Sequence, residues 1–231
     1  MPELILHNLS RIAYQAALDI QRDLVARVQA DGGQTAHLLL LEHDPPVITL
    51  GRRGQIEHIL ADRARLDALG IEVHRSHRGG QVTVHAPGQL VAYPILRLGP
   101  GRGTVSGYVR ALEQAVIDVL GRFGLEGRRR DGTVGVWAGE GKIASVGVAV
   151  ERWVTYHGLA INVGPDTAAF DLIVPCGQSG AAAVASISQL LGREVTVARA
   201  AEELVPSLCQ ALGFDRAVPA DAPPPPGATD D

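Results

Sequence analysis

Of the 21 lysines and arginines in this 231-residue chain, one is a lysine, Lys142. Arginine supplies a fixed charge that a protein cannot remove, whereas a lysine amine can give up and retake a proton. A single lysine in an otherwise all-arginine chain is therefore a candidate proton carrier. It lies in Gly141-Lys142-Ile143-Ala144-Ser145-Val146-Gly147. A second scarce residue follows in Val174-Pro175-Cys176-Gly177, where Cys176 is one of two cysteines. A thiolate attacks acyl groups and a thiol does not, so a nucleophilic cysteine needs a base or a cation beside it. Lys142 can take the thiol proton, hold the thiolate as an ammonium, and protonate a departing thiol. The plainer readings are a surface lysine and a small buried cysteine. Cys209, between Leu208 and Leu212 on an apolar stretch, suits the buried reading.

A third cluster is Arg78-Gly79-Gly80-Gln81-Val82-Thr83-Val84-His85-Ala86-Pro87-Gly88-Gln89. Paired glycines let backbone approach a ligand closely, although a glycine-rich β-hairpin with a surface arginine has the same appearance. No GxxxxGK[ST] or GxGxxG sequence signals a nucleotide. Among the eight histidines, His74 and His77 are spaced three apart outside any helical pattern, a weak metal pair. His85 and His157 sit within the motifs, as catalytic bases or as neutral structural histidines.

These residues need a scaffold. Residues 10–30 read as an amphipathic helix, with Ser10 as N-cap, an apolar face of Ala13, Ala17, Ile20, Leu24 and Val28, and a stop at Gly32-Gly33. Residues 37–42, 47–50, 80–85 and 90–96 read as strands, the last two joined by the turn Ala86-Pro87-Gly88. Residues 62–69 form a short helix and 104–123 a long one with Val105, Val109, Leu112, Val116, Val119 and Phe123 inward. Residues 134–137, 142–150 and 153–163 make an antiparallel meander. Helices follow at 183–191 and 197–212, the latter containing Pro206. Central strands with helices at both ends predict an α+β domain, a mixed and mostly antiparallel sheet with helices on one face. One domain over 1–217 is expected, then a Pro-rich, disordered tail over 218–231.

Composition narrows the class. The chain is 46% hydrophobic and 20% charged with a net charge of −4, which makes no global case for nucleic acid. Two cysteines without a CxxC argue against a disulfide framework. The start carries no basic-then-apolar leader and no apolar run is long enough to span a bilayer, so a soluble cytoplasmic protein is expected.

Taken in order, five blocks make the chain resemble the lipoate-biosynthesis octanoyltransferases, the octanoyl-acyl-carrier-protein:protein N-octanoyltransferases. They are Leu41-Glu42-His43 with Thr49-Leu50-Gly51-Arg52; residues 78–89 with Tyr93-Pro94-Ile95; residues 141–147; His157-Gly158-Leu159-Ala160-Ile161-Asn162; and Pro175-Cys176-Gly177. The resemblance implies the biotin/lipoate protein ligase catalytic-domain fold. It implies that Cys176 carries an acyl thioester and that Lys142 tunes it. It assigns acyl-substrate contacts to Arg78, Gly79, Gly80, Gln81, Val82, Thr83, Val84 and His85, to Ser145, Val146 and Gly147, and to Gly158, Leu159 and Ala160. It implies octanoyl-acyl carrier protein as donor, and as acceptors the lipoyl domains of 2-oxo acid dehydrogenases and the glycine cleavage carrier protein. No cofactor beyond the donor's phosphopantetheine arm is implied, and no metal. Val84 replaces a usual aromatic residue, Ala86 a usual glycine and Ala185 a usual threonine, so Val84 and Ala86 are expected to reshape the acyl pocket. Arg52-Arg53, Arg75, Arg78 and Arg128-Arg129-Arg130 are candidate docking patches for acidic partners.

Three other readings stand beside the transferase. An ATP-dependent lipoate or biotin protein ligase of the same fold would not need Cys176. A Cys–His hydrolase would use His85 or His157. A non-catalytic module that binds acylated carrier proteins would tolerate loss of Cys176.

Overall fold

The computed structural model describes residues 2–99, 103–164, 166–174 and 184–221. The chain runs β1 (Glu3–Ile12), α1 (Tyr14–Ala30), β2 (His37–His43), β3 (Val47–Leu50), α2 (Arg63–Ala68), β4 (Glu72–Arg75), β5 (Val82–His85) and β6 (Gln89–Ile95). It continues α3 (Val105–Arg122), β7 (Gly127–Arg128), β8 (Val136–Ala138), β9 (Gly141–Glu151), β10 (Val154–Asn162), α4 (Ile187–Leu191), α5 (Val197–Leu212) and β11 (Arg216–Pro219). Eight strands form one sheet in the order β11-β1-β2-β6-β10-β9-β8-β7, and β4-β3-β5 form a second. In the large sheet β11, β1 and β2 are parallel and every later pairing is antiparallel. This is the mixed α+β fold that the sequence predicts.

The layering follows from the two-residue period of a strand. Leu38 and Leu40 of β2 and Leu90 and Ala92 of β6 join the core under α3 and α5. Their neighbours Leu39, Leu41, Val91 and Tyr93 face the opposite side, where Ala17, Ile20, Leu24 and Val28 of α1 cover them. Helices therefore lie on both faces, not one. That is why β2 is a continuous apolar run rather than an alternating one. The smaller sheet has its own core of Ile48, Leu50, Leu66, Val82, Val84 and Ile173.

Several elements differ from the sequence reading. A first strand precedes the helix, and Ser10 lies at an irregularity of β1 with φ +53° instead of capping α1. Helix α1 starts at Tyr14, after Ala13, which makes no side-chain cap. The polar residues of β1 hide its pattern, and its partner β2 is distant in sequence. Strands β5 and β6 are not a hairpin: they belong to different sheets, and Ala86-Pro87-Gly88 carries the chain between them. Val105 at the start of α3 is 41% exposed, while Tyr108 is buried. The expected domain boundary at 217 also moves. Val218 and Pro219 pair with Ile5 and Leu6 in β11, and the Ala220 N–H reaches the Leu6 carbonyl at 2.9 Å. Residues 222–231 lie outside the described residues, as does position 183 at the start of the predicted fourth helix. No helix among the described residues is long and apolar enough to cross a membrane.

Ending the chain at Asp215 removes β11 and bares the β1 edge. The expected loss is on the order of 1–3 kcal/mol, typical when sheet hydrogen bonds and side-chain packing go together. Urea unfolding of the truncated and full chains measures it.

Candidate active site

The residues 78–81 bridge the two sheets, and their backbone hydrogen bonds explain the glycines. The N–H groups of Gly51, Arg52 and Arg53 donate to the carbonyls of Gln81, Arg78 and Gly80 at 2.8, 3.0 and 3.0 Å. On the other side the Gly79 N–H donates to Val148 of β9 at 2.8 Å. Gly80 has φ +87°, a conformation that favours glycine. Between these straps lies a cleft of about 260 Å³.

Arg78 is buried at its edge. Its Nε donates to Thr49 Oγ1 at 3.1 Å and its Nη2 to the Thr49 carbonyl at 2.6 Å, while Nη1 donates to the Gly79 carbonyl at 3.0 Å. A guanidinium at 8% exposure does not form part of a surface docking patch. It is a fixed positive charge turned into the cleft.

Aromatic and histidine rings form the floor. The His43 Nδ1–H donates to the Ile12 carbonyl at 3.3 Å, leaving Nε2 to accept the Tyr93 hydroxyl at 2.8 Å. His85 donates from Nδ1 to Gln89 Oε1 at 2.9 Å. The Gln89 amide is oriented by donating to Val84 O and Asn162 Oδ1, so the His85 lone pair is on Nε2. His157 has φ +56° within β10, a left-handed conformation unusual for a side chain of this size. Its N–H donates to Oε1 of the fully buried Gln21 at 2.8 Å, and its Nε2 meets Ser76 Oγ at 3.2 Å. Burial holds all three rings neutral. It pushes His43 down to about 4 and His157 down to about 3, the latter with help from Arg78, and it lowers His85 well below the usual histidine range. His74 and His77 do not form a pair: His74 binds Glu72 at 2.7 Å, and His77 faces a separate groove beside Arg22 and Tyr156.

Lys142 enters the cleft from the other wall. It is the second residue of β9, opposite Trp137 of β8. Its Nζ lies 5.1 Å from the Trp137 ring centroid and donates to the Val134 carbonyl at 3.0 Å. Val184 bridges the Lys142 backbone in parallel, and the Ala185 N–H donates to the Lys142 carbonyl at 3.1 Å. Cys176 lies outside the described residues. The described residues on either side are anchored: the Val174 N–H donates to His58 O at 2.8 Å, and Val184 lies beside Lys142.

The cleft brings together most of the expected contact residues. Arg78, Gly80, Gln81, Val82, Thr83, His85, Ser145, Val146, Gly147, Gly158, Leu159 and Ala160 line it with Lys142. Two blocks distant in sequence become cross-strand pairs, Ala160 with Ser145, Leu159 with Val146 and Gly158 with Gly147. Gly79 and Val84 are not among the lining residues. Val84 is fully buried in the small-sheet core, and with Ala86 it borders a separate hollow of about 10 Å³. The expectation that these two residues reshape the cleft is corrected by their place along the chain: Val82 at the start of β5 reaches the cleft, whereas Val84, two residues on, is enclosed in the small-sheet core. Tyr14, Thr49, Tyr93 and Val134 also line the cleft. Thr49 and Tyr93 stand in the sequence motifs without an assigned role, and nothing local signals Tyr14 or Val134. The Arg128-Arg129-Arg130 run binds its own chain: Arg128 and Arg130 approach Glu140 at 3.6 and 4.0 Å, and Arg129 bonds Glu113 at 3.0 Å. Cys209 is a buried residue of α5, its thiol pushed up by burial.

The lipoyl protein ligase A/B catalytic domain family matches residues 13–209. The octanoyltransferase of Chloroflexus aurantiacus is 48% identical over 224 residues, covering 95% of this chain and 99% of its own. That of Solibacter usitatus is 53% identical over 172 residues, covering 74% and 77%. Among solved structures, the bipartite lipoate protein ligase of Thermoplasma acidophilum superposes with a TM-score of 0.75 at 18% identity, covering 95% and 88% of the two chains. An ATP-bound lipoate-protein ligase A gives 0.72 at 18%, covering 95% and 89%.

The neutral histidines set a pH dependence. His43 and His157 bind protons more readily unfolded, near the ordinary 6.5, than folded, and so does His37, lowered to about 4 by burial and by its neighbour His7. Their contribution is complete above about pH 6.5 and is lost as pH falls toward about 4 for His43 and His37 and about 3 for His157, by up to roughly 1.4 kcal/mol per pH unit for each. Urea midpoints at pH 7 and pH 5 are expected to fall accordingly, and His43→Gln is expected to shallow the slope.

Proposed function

The chain belongs to the lipoyl protein ligase A/B catalytic-domain family, among its octanoyltransferases, and on that premise we propose that Cys176 and Lys142 carry the transfer as a nucleophile and its proton carrier. The enzyme is an acyltransferase of protein lipoylation. The Cys176 thiolate attacks the thioester carbonyl of an octanoyl group on the phosphopantetheine arm of an acyl carrier protein. The C–S bond to the arm breaks as the new thioester forms, and the Lys142 ammonium gives its proton to the departing thiolate, which leaves as the free thiol of the arm. A lysine amine of a lipoyl domain then attacks the acyl-enzyme, the amide forms, and Lys142 receives the amine's proton as the Cys176 thiolate leaves. Nothing in this sequence of steps requires ATP, because the donor is already a thioester.

One observation carries the reading. The chain's only lysine lies in the same cleft as Arg78, His85 and the 145–147 and 158–160 pairs, with Val184 paired to its backbone. From Val184 back to Cys176 is a short stretch of chain. The identity to octanoyltransferases over nearly the whole chain favours a transferase over the ATP-dependent ligase, since likeness to ligase structures speaks for fold alone. The neutral His85 and His157 are weak bases, which disfavours a Cys–His hydrolase. In the cleft, Val82, Val146, Leu159 and Ala160 supply apolar wall for the acyl chain and Arg53 a cation; Arg52 and Arg75, the latter on the groove beside His77, are the further basic groups for an acidic partner.

Initial rates against both substrates are expected to give the parallel double-reciprocal lines of a ping-pong enzyme. Cys176→Ser and Lys142→Arg should each abolish turnover. Near-normal turnover by Lys142→Arg would show that a fixed charge suffices and remove Lys142 as proton carrier. A hexanoyl donor, two CH₂ groups shorter, is expected to lose about fifteenfold in kcat/KM, from about 0.8 kcal/mol per buried CH₂.

A further inference from the structure

Glu113 is a buried carboxylate that the reaction scheme leaves unused. It lies midway along α3, and its side chain is 6% exposed. An acidic residue is almost never so buried unless paired. Here the partners are Arg129, whose Nε donates to Oε2 at 3.0 Å, and the Gly135 N–H, which donates to Oε1 at 2.8 Å. Arg129 in turn clasps α3, donating from Nη2 to the Arg110 carbonyl and to Gln114 Oε1, each at 3.0 Å.

The Gly135 N–H belongs to the same peptide group as the Val134 carbonyl. That carbonyl accepts the Lys142 Nζ at 3.0 Å. One planar unit therefore has a buried carboxylate on its N–H side and the cleft lysine on its C=O side. A trans peptide is rigid, so fixing the N–H direction fixes the carbonyl direction. A carboxylate on the N–H also polarises the unit and makes the carbonyl a stronger acceptor. Gly135 allows the close approach: its φ is +133°, and a Cβ there would stand 2.5 Å from Lys142 Cε and 2.6 Å from the Ala144 carbonyl. The Trp137 ring closes another side of the amine.

We propose that Glu113 is a positioning residue for the acyl transfer: acting through the Val134–Gly135 peptide group, it aims and holds the Lys142 amine. This rests on the proton-carrier reading of Lys142. With Glu113 removed, the peptide group loses the bond that orients it, and the amine loses a directed acceptor while its own strand remains intact.

The test measures kcat and KM for an octanoyl donor on folded Glu113→Ala, Glu113→Asp and Glu113→Gln, with Lys142→Arg alongside. Glutamine keeps an Oε1 acceptor for the Gly135 N–H while its amide nitrogen cannot accept from Arg129, so it separates the peptide-group contact from the ion pair; Ala lacks the acceptor and Asp cannot reach. Glu113→Ala and Glu113→Asp are expected to lower kcat by about tenfold or more, with KM changed by less than about twofold, as misplacement of a reacting group does. Glu113→Gln is expected to restore most of kcat. Glu113→Asp retains the charge and carries the test alone should the alanine variant not fold. Wild-type kcat in folded Glu113→Asp, or a loss confined to KM, would overturn the inference while an inactive Lys142→Arg left the lysine reading standing. An active Lys142→Arg would remove the reading beneath it.

Discussion

Strand β10 is paired along both edges, and the cleft takes its geometry from that constraint. Residues 159–162 pair with β6 and residues 154–161 with β9. The first pairing sets Asn162 against Gln89, where it bonds the amide that orients His85. The second lays Gly158–Ala160 along Ser145–Gly147 and fixes the depth at which β9 delivers Lys142. Asn162 also donates to the Ala185 carbonyl at 3.0 Å, so the segment that opens α4 docks on the same strand end. A shift of one residue in β10 would reverse every one of these side chains. Gln21 holds the strand where it departs from regular geometry at His157.

Charge is distributed with equal economy around this frame. Arg78 is a permanent cation held by neutral oxygens of Thr49 and Gly79. The rings beneath it stay uncharged because burial opposes their protonation, and Arg78 adds to that for His157. Such a floor is polar in hydrogen bonding yet carries no titrating charge near neutrality. This suits a site that receives both an apolar acyl chain and a developing oxyanion. Proton traffic is then left to Lys142 and the thiol it serves.

Long elements were legible because their periods are strong. Helix α3, from the Thr104 cap to Gly124, and the β8–β9–β10 meander lie close to where the residue pattern puts them. Strands β1, β4 and β11 were not: β4 and β11 have four residues each, the apolar residues of β1 follow no regular alternation, and all three exist by pairing with a sequence-distant neighbour. The lone lysine and the motif blocks point to the cleft from the sequence alone. Residues that act from behind it were silent. Glu113 and Gln21 sit on amphipathic helices, where a polar residue reads as solvent-facing, and only the packed structure turns them inward. Val84 and Ala86 show the converse: they depart from the family pattern at positions that border a separate hollow and do not line the cleft.

Intact-protein mass after mixing with octanoyl-acyl carrier protein, without ATP, tests the central claim most directly. The account predicts one octanoyl adduct on the wild type and none on Cys176→Ala, discharged when a lipoyl domain is added. An adduct that persists in Cys176→Ala, or none on the wild type until ATP is supplied, would contradict it.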